Sequence, residues 1–346
     1  MSNLFVNWKF YALTALAFLT LVINFRMGAF AIDYATILQS LMGSVEIIQE
    51  KVFINIRFPR VVFGVGAGAL LAVCGVMLQA LFRNPLADPG ILGVSSGCSL
   101  GAIFYFLWAS KVTTFFPNIP NIELFLLPIL AMLGGMLVLI PLVWMLMQGN
   151  LGAQTTTIIL MGVAINAAGG AIMGLIISIF PNDSELRSIT FWTMGSLAGV
   201  QNLYLAPLAL VLIVSFLFAQ YYAKDLNLIS LGENEATVSG TNVKKLKWVV
   251  VILSAFATAI TVCFVGFIGF IGLVVPHAMR LWVGSDHRIL IPTSMLAGGI
   301  LLSSADSLSR TVLAPMELPV GVITAMIGTP ILIHFLVKMN KGMRLG

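Results

Sequence analysis

Residues 83–101, Arg-Asn-Pro-Leu-Ala-Asp-Pro-Gly-Ile-Leu-Gly-Val-Ser-Ser-Gly-Cys-Ser-Leu-Gly, form a proline-broken, glycine-rich stretch between two hydrophobic runs. Pro85, Pro89 and Gly90 keep it from being a continuous helix. Lipid offers backbone groups no hydrogen-bond partners, so such a stretch must sit at an interface or be walled off by protein. Interruptions of this kind in an apolar chain point to a transport pathway.

The rest of the chain is apolar enough to make that reading apply. Of its residues 59% are hydrophobic and 9% charged, with a mean hydropathy of +1.04, against roughly 45–50% apolar and 25% charged in soluble domains. A spanning helix needs about 20 apolar residues. Ten candidates stand out, at about 10–30, 61–82, 91–110, 123–147, 155–180, 201–222, 248–265, 267–283, 289–305 and 319–338. The expected fold is all-α: a polytopic membrane protein of about ten transmembrane helices with short non-spanning helices, in a single domain over 1–346.

Lysine and arginine accumulate in cytoplasmic loops. With both termini inside, Lys9, Arg83, Lys224, Lys244, Lys245, Lys247, Arg280, Arg288, Lys338, Lys341 and Arg344 face the cytosol, and fewer basic residues face the other side. The net charge of +5 therefore reads as topology, since no basic helix with interleaved aromatics lies outside the spans to bind nucleic acid. The expected location is the bacterial inner membrane, with N- and C-termini cytoplasmic. Lys9 and Ala29-Phe30-Ala31 imitate a signal peptide, but a retained first helix is the simpler reading. Cys74, Cys98 and Cys263 read as small buried thiols.

The long polar stretch 223–247 falls on the cytosolic side. Its centre, Leu231-Gly232-Glu233-Asn234-Glu235-Ala236 through Gly240, suits a short helix ended by glycine and offers a handle for a soluble partner; an ordinary lysine-rich connecting loop is the other reading. Residues 31–60 and 181–200 are the expected non-spanning segments on the opposite side. Glycines such as Gly64, Gly68, Gly162, Gly272 and Gly298 read as packing seams. A Gly-rich span followed by a proline break occurs in each half, at Pro85/Pro89 and at Pro276, which makes an inverted repeat plausible.

Catalytic chemistry is missing from the sequence. No phosphate-binding loop, zinc-protease motif or nucleophile elbow occurs, and His277, His287 and His334 lack a metal-binding spacing. Ion-coupled transporters carry ionisable groups deep in their spans, and here the span centres hold almost none. Energy for transport would then come from a partner at the cytosolic loop. The rival, an ion-coupled secondary transporter, would require an essential intramembrane carboxylate.

A series of motifs in order resembles the FecCD family, permeases of ATP-binding cassette (ABC) importers for iron siderophores, heme and cobalamin. They are Arg57-Phe58-Pro59-Arg60, Gly75 to Gln79, Arg83 to Pro89, Leu231-Gly232 with Ala236 and Gly240, Gly269 to His277, Asp286-His287-Arg288, Asp306 to Arg310, and Glu317 to Gly321. The resemblance implies a homodimer of ten-helix subunits, two cytosolic ABC ATPase subunits and a periplasmic substrate-binding protein. ATP and Mg would be bound by the ATPases, and no cofactor by this chain. It implies that Arg57, Arg60 and Arg310 face the periplasm and dock acidic residues of the binding protein, exposed guanidinium groups being suited to that task; pairing with lipid phosphate is the alternative. It makes Leu231, Gly232, Glu233, Glu235, Ala236 and Gly240 the ATPase-coupling segment. Gln154, Thr155 and Thr156 match the region of the cytoplasmic gate, with a helix N-cap as the rival reading.

The stretches 90–97, 186–197 and 284–288 look most similar to heme permeases, and siderophore permeases share much of them. Heme would need a wide apolar passage with a cation near its entrance for the propionates. Arg187 is the candidate, with a salt bridge to Asp183 as the alternative. The substrate reading is heme first, ferric siderophore second and cobalamin third.

Overall fold

The computed structural model describes residues 8–28, 33, 34, 37, 51–115, 122–147, 151–179 and 183–343. Among them are thirteen α-helices: α1 (Trp8–Arg26), α2 (Phe58–Leu81), α3 (Val94–Phe115), α4 (Ile122–Met147), α5 (Leu151–Ile179), α6 (Asp183–Thr193), α7 (Leu205–Tyr221), α8 (Ala223–Leu231), α9 (Glu233–Val238), α10 (Val243–Val265), α11 (Ile271–Val283), α12 (His287–Thr311) and α13 (Val320–Met343). Seven are long and apolar enough to cross a membrane, and Val94–Trp108, Ile271–Val283 and Val320–Phe335 are shorter apolar helices. Together they account for the ten apolar stretches of the sequence.

The central pillar is α2. Phe63, Leu70, Met77 and Leu78 are fully buried, and neighbouring helices close on it where side chains vanish. A Cβ on Gly68 would strike the Gly298 carbonyl of α12, and one on Gly75 would strike the Gly272 carbonyl of α11. With no hydrophobic drive between helices in lipid, this close approach is what glycine contributes. A second seam joins α3 to α4, where Gly97 and Gly134 meet backbone to backbone.

The span expected at 61–82 begins earlier. A π-turn at Phe53–Arg57 runs directly into α2, and Phe53–Leu81 is one apolar span. Arg57 and Arg60 therefore belong to the span itself, not to a loop before it; the remainder of the expected segment 31–60 lies largely outside the described residues. Likewise, 183–193 of the expected segment 181–200 is helix α6, and Asp183 and Glu185 in its first turn suit the positive end of a helix dipole. Pro276 does not break its span. It lies inside α11, and the break falls before it, where Gly266 and Phe270 take positive φ of 73° and 70°.

The two ends of the bundle are each tied by polar bonds. At one end Lys9 Nζ donates to the Trp282 carbonyl at 2.6 Å, and Gln79, Arg83, Arg280 and Asp286 share a cleft. At the other lie Arg57, Arg60, Arg310 and Glu317.

Candidate functional site

The broken stretch 83–101 meets the membrane argument in both ways: Arg83–Pro85 line the cleft at one end of the bundle, and from Ala87 onward the chain is largely enclosed by protein. Asn84 Oδ1 accepts from Leu86 N at 2.9 Å, and Asp88 Oδ1 accepts from Gly90 N at 2.7 Å, capping a short 3₁₀ turn at Pro89–Leu92. Gly93 then turns the chain into α3 with φ 81°. Asn166 of α5 donates to the Gly90 carbonyl at 3.0 Å, and Gly162 lies so close to the Ile91 carbonyl that a Cβ would collide with it. From α2, Gln79 Nε2 reaches the Leu273 carbonyl at 3.1 Å. The elbow thus fastens α2, α5 and α11 together.

At the opposite end three arginines converge. Arg60 holds Asp306 through Nε and Nη2 at 2.9–3.1 Å and grips Glu317 bidentately at 3.1 and 3.0 Å. Arg310 Nε lies 3.1 Å from Asp306 Oδ2, and its Nη1 donates to the Met27 carbonyl at 3.1 Å. Arg57 Nη1 donates to the carbonyls of Phe25 and Arg26 at 3.1 and 3.0 Å. The arginines are only 5–6% exposed, whereas the Glu317 side chain is 35% exposed. Here the expectation of exposed guanidinium groups is corrected: the chain itself supplies Asp306 to Arg60 and Arg310, Glu317 to Arg60, and backbone carbonyls to Arg57, which is what lets them sit inside the bundle.

The polar stretch 223–247 folds as two helices, α8 and α9, parted at Gly232. Leu231, Asn234, Glu235 and Val238 are exposed, but Ala236 is fully buried. Glu233 turns inward to Lys247 Nζ at 2.7 Å. Gly240, with φ 88°, closes α9, and Thr241 Oγ1 donates to Asp225 Oδ1 at 2.6 Å, tying α9 back to α8. Beside this corner Asn227 donates to Asp286 at 2.9 Å. Burial opposes ionisation of Asp286, but the bonds from Asn227 and the Arg288 N–H outweigh it and hold the carboxyl below its ordinary value.

Arg187 projects from α6 into a cavity of about 1070 Å³. Aromatic and apolar side chains dominate its lining, among them Phe106, Phe191, Trp192, Tyr204 and Phe264. Among the described residues no ion pair joins Arg187 to Asp183.

This succession of spans, elbow, arginine cluster and split polar segment is matched along nearly its whole length by the FecCD transport family, over residues 16–338. The chain belongs to that family. The permease is 36% identical to a hemin transport system permease of Yersinia pestis over 91% of each chain. It is also 36% identical to the Fe(3+) dicitrate transport permease of Escherichia coli, covering 92% of this chain and 95% of the relative. A vitamin B12 import permease of Vibrio cholerae is 36% identical over 84% of each. A solved inward-facing conformation of a metal-chelate type ABC transporter superposes with a TM-score of 0.80 at 30% identity, covering 95% and 98% of the two chains. The permease is accordingly a multi-pass, non-catalytic membrane subunit of an ABC importer, a class that works with ATPase and binding-protein partners.

Within the permease, the residues expected to couple to an ATPase separate into two groups. Leu231 and Glu235 are exposed; Gly232, Glu233 and Ala236 shape and anchor the segment from inside. Gln154, Thr155 and Thr156, expected near a cytoplasmic gate, lie within α5, which starts at Leu151, so the N-cap reading fails for the threonines. Thr156 is exposed, and the side chains of Gln154 and Thr155 lie outside the described residues. Three ion-pair partners escaped the sequence reading. Lys247 counted as a loop cation, although Val243, Leu246, Val250 and Val251 already marked the helical face on which it is buried. Asp306 and Glu317 had been placed in motifs without their partner Arg60, which is 246 residues from the first of them.

Proposed function

We propose that this permease imports heme from periplasm to cytoplasm as a homodimer, with the Arg57 end outward, the Arg83 end cytosolic and both termini in the cytoplasm. The observation that carries the substrate reading is the Arg187 cavity. Its volume lies just above the roughly 300–1,000 Å³ usual for ligand sites, and its aromatic lining with one cation at hand suits a flat apolar molecule bearing carboxylates. The hemin permease likeness agrees with it. A binding protein would deliver the substrate at the arginine cluster, where its carboxylate reaches Arg60 by displacing the half-exposed Glu317. On the cytosolic side, the exposed Leu231, Glu235 and Val238 would meet the ATPases. ATP-driven closure would then move α9 and switch the path between outward-facing and inward-facing states, with the start of α5 as the cytoplasmic gate.

Ferric siderophore is the second reading, favoured by the equal identity to the Fe(3+) dicitrate permease. Proteoliposomes carrying the permease with its ATPase and binding protein decide between them. Heme uptake that depends on ATP supports the proposal; uptake of a ferric siderophore or cobalamin without heme overturns the substrate, and uptake without any ATPase overturns the importer mechanism.

A further inference from the structure

We infer that α10 is a rigid strut that carries movement of the coupling helix α9 across the membrane to segment 192–197, and that the Lys247–Glu233 pair is its lower fastening. The inference rests on the proposed contact between α9 and the ATPases. It assigns Lys247 and Glu233 as positioning residues, which act on the transport path through α10.

The lower joint is unusual for a loop-proximal lysine. Lys247 is 0% exposed, and its Nζ lies 2.7 Å from Glu233 Oε1 at the first position of α9. A buried ammonium stripped of its partner is strongly disfavoured, so the two helices are held to one another more firmly than a surface ion pair would hold them. The Thr241–Asp225 bond and the Thr241 N–H to the Ala236 carbonyl at 2.9 Å make α9 and its turn one unit. Asn242 Oδ1, accepting from Lys245 N at 3.0 Å, caps α10 directly after that turn.

The shaft is continuous. The 23 residues of α10 rise about 34 Å at 1.5 Å each, enough to cross the bilayer, and include neither glycine nor proline. Every other long span except the lightly buried α1 contains one or both, and sharp kinks arise at such residues. Thr258 and Thr261 spend their hydroxyls on carbonyls of their own helix, at 2.7 and 2.9 Å. These two hydroxyls therefore make no bond to a neighbouring helix.

The upper joint is made of backbone. Ser196 N donates to the Val265 carbonyl at 2.8 Å, and Val320 N, at the start of α13, donates to the Gly195 carbonyl at 2.9 Å. Gly266 lies against the Trp192 carbonyl, Gly195 against that of Phe267 and Gly321 against that of Met194, each too close to admit a Cβ. The end of α10 therefore grips the segment that follows the Arg187 helix and borders both its cavity and α13. A shift of α10 is passed through these bonds into that segment.

The test uses the full transporter with its ATPase and binding protein, spin-labelled through Ser188→Cys on α6 and Val312→Cys beyond α12. Trapping the ATPases with nucleotide and vanadate changes the label separation in the parent. Lys247→Met is expected to remove more than half of that change while ATP hydrolysis persists, and the exchange Glu233→Lys with Lys247→Glu to restore it. If Lys247→Met does not assemble, Glu233→Gln, which keeps the acceptor and removes the charge, must shorten the displacement. A full displacement in either variant overturns the strut. A cysteine at Val238 cross-linked to the ATPase separates the two ideas: no cross-link overturns the coupling contact itself, whereas a cross-link with unchanged label movement overturns only the strut.

Discussion

Removing the carboxylate of Asp306 should be among the most damaging single changes at the outer arginine cluster. Its two oxygens serve three contacts from Arg60 at 2.9–3.1 Å and one from Arg310 at 3.1 Å, with a side chain only 2% exposed. Asp306→Asn leaves two buried guanidinium groups short of a counter-charge, and loss of one partner from a buried ion pair costs about 3–5 kcal/mol. Glu317 meets the same Arg60 with equally good geometry but is 35% exposed, so Glu317→Gln should cost about 1 kcal/mol or less. Unfolding of the purified permease in mixed micelles, titrated with sodium dodecyl sulfate, reads both. A double-mutant cycle of Arg60→Gln with Asp306→Asn should give a coupling of about 2–3 kcal/mol, clearly above that of Arg60 with Glu317. An Asp306→Asn variant within about 0.5 kcal/mol of the parent would sink this reasoning, because surface changes alone produce effects of that size.

Gly162→Ala should lower the yield of folded, monodisperse protein in size-exclusion chromatography, since its Cβ would collide with the Ile91 carbonyl, whereas Gly199→Ala has open space and should not. Leu231→Asp and Val238→Asp, at residues 74% and 90% exposed, should weaken ATPase association in a pull-down by about tenfold or more, given roughly 1.5–3 kcal/mol for burying such a side chain. Arg187→Ala should raise the KM for heme about two- to fivefold, the scale of one exposed ion pair, and leave the ATPase rate without substrate unchanged. Asp286 has a depressed carboxyl, so the stability it contributes is present above its unfolded value near 3.8 and is lost as pH falls through the lower folded value. The penalty of Asn227→Ala in the same micelle titration should therefore be full at pH 7 and shrink below about pH 4.

Much of this molecule could be read from its residues. Apolar runs located the spans because lipid demands continuous hydrogen-bonded helix, and the prolines of 83–101 marked the elbow for the same reason. What escaped was information carried by pairs far apart in the chain. Arg57 and Arg60 looked like loop residues because charge alone suggests water, and only the fold brings Asp306 and Glu317 to Arg60 and the Phe25 and Arg26 carbonyls to Arg57. Pro276 looked like a break, but a helix buried among neighbours tolerates the lost bond, and the true interruption was set by Gly266 and Phe270. The division of 223–247 into α8 and α9 was hidden because Gly232 reads equally well as a cap or a link. Lys247 was the most legible of the missed residues, lying in register with four buried aliphatic neighbours.

The internal arginine cluster also sets a schedule for biogenesis. Arg60 enters the membrane with α2, yet Asp306 follows 246 residues later. At about 5–20 residues per second, that interval is roughly 12–50 seconds during which a nascent chain carries an unneutralised guanidinium at a helix end. Until α12 arrives, α2 must keep that end at the headgroup level or in the insertion machinery. A chain that ends before residue 306 lacks both carboxylates that hold Arg60 in the finished bundle, so α12 and the link that follows it complete the seating of the pillar that was made among the first.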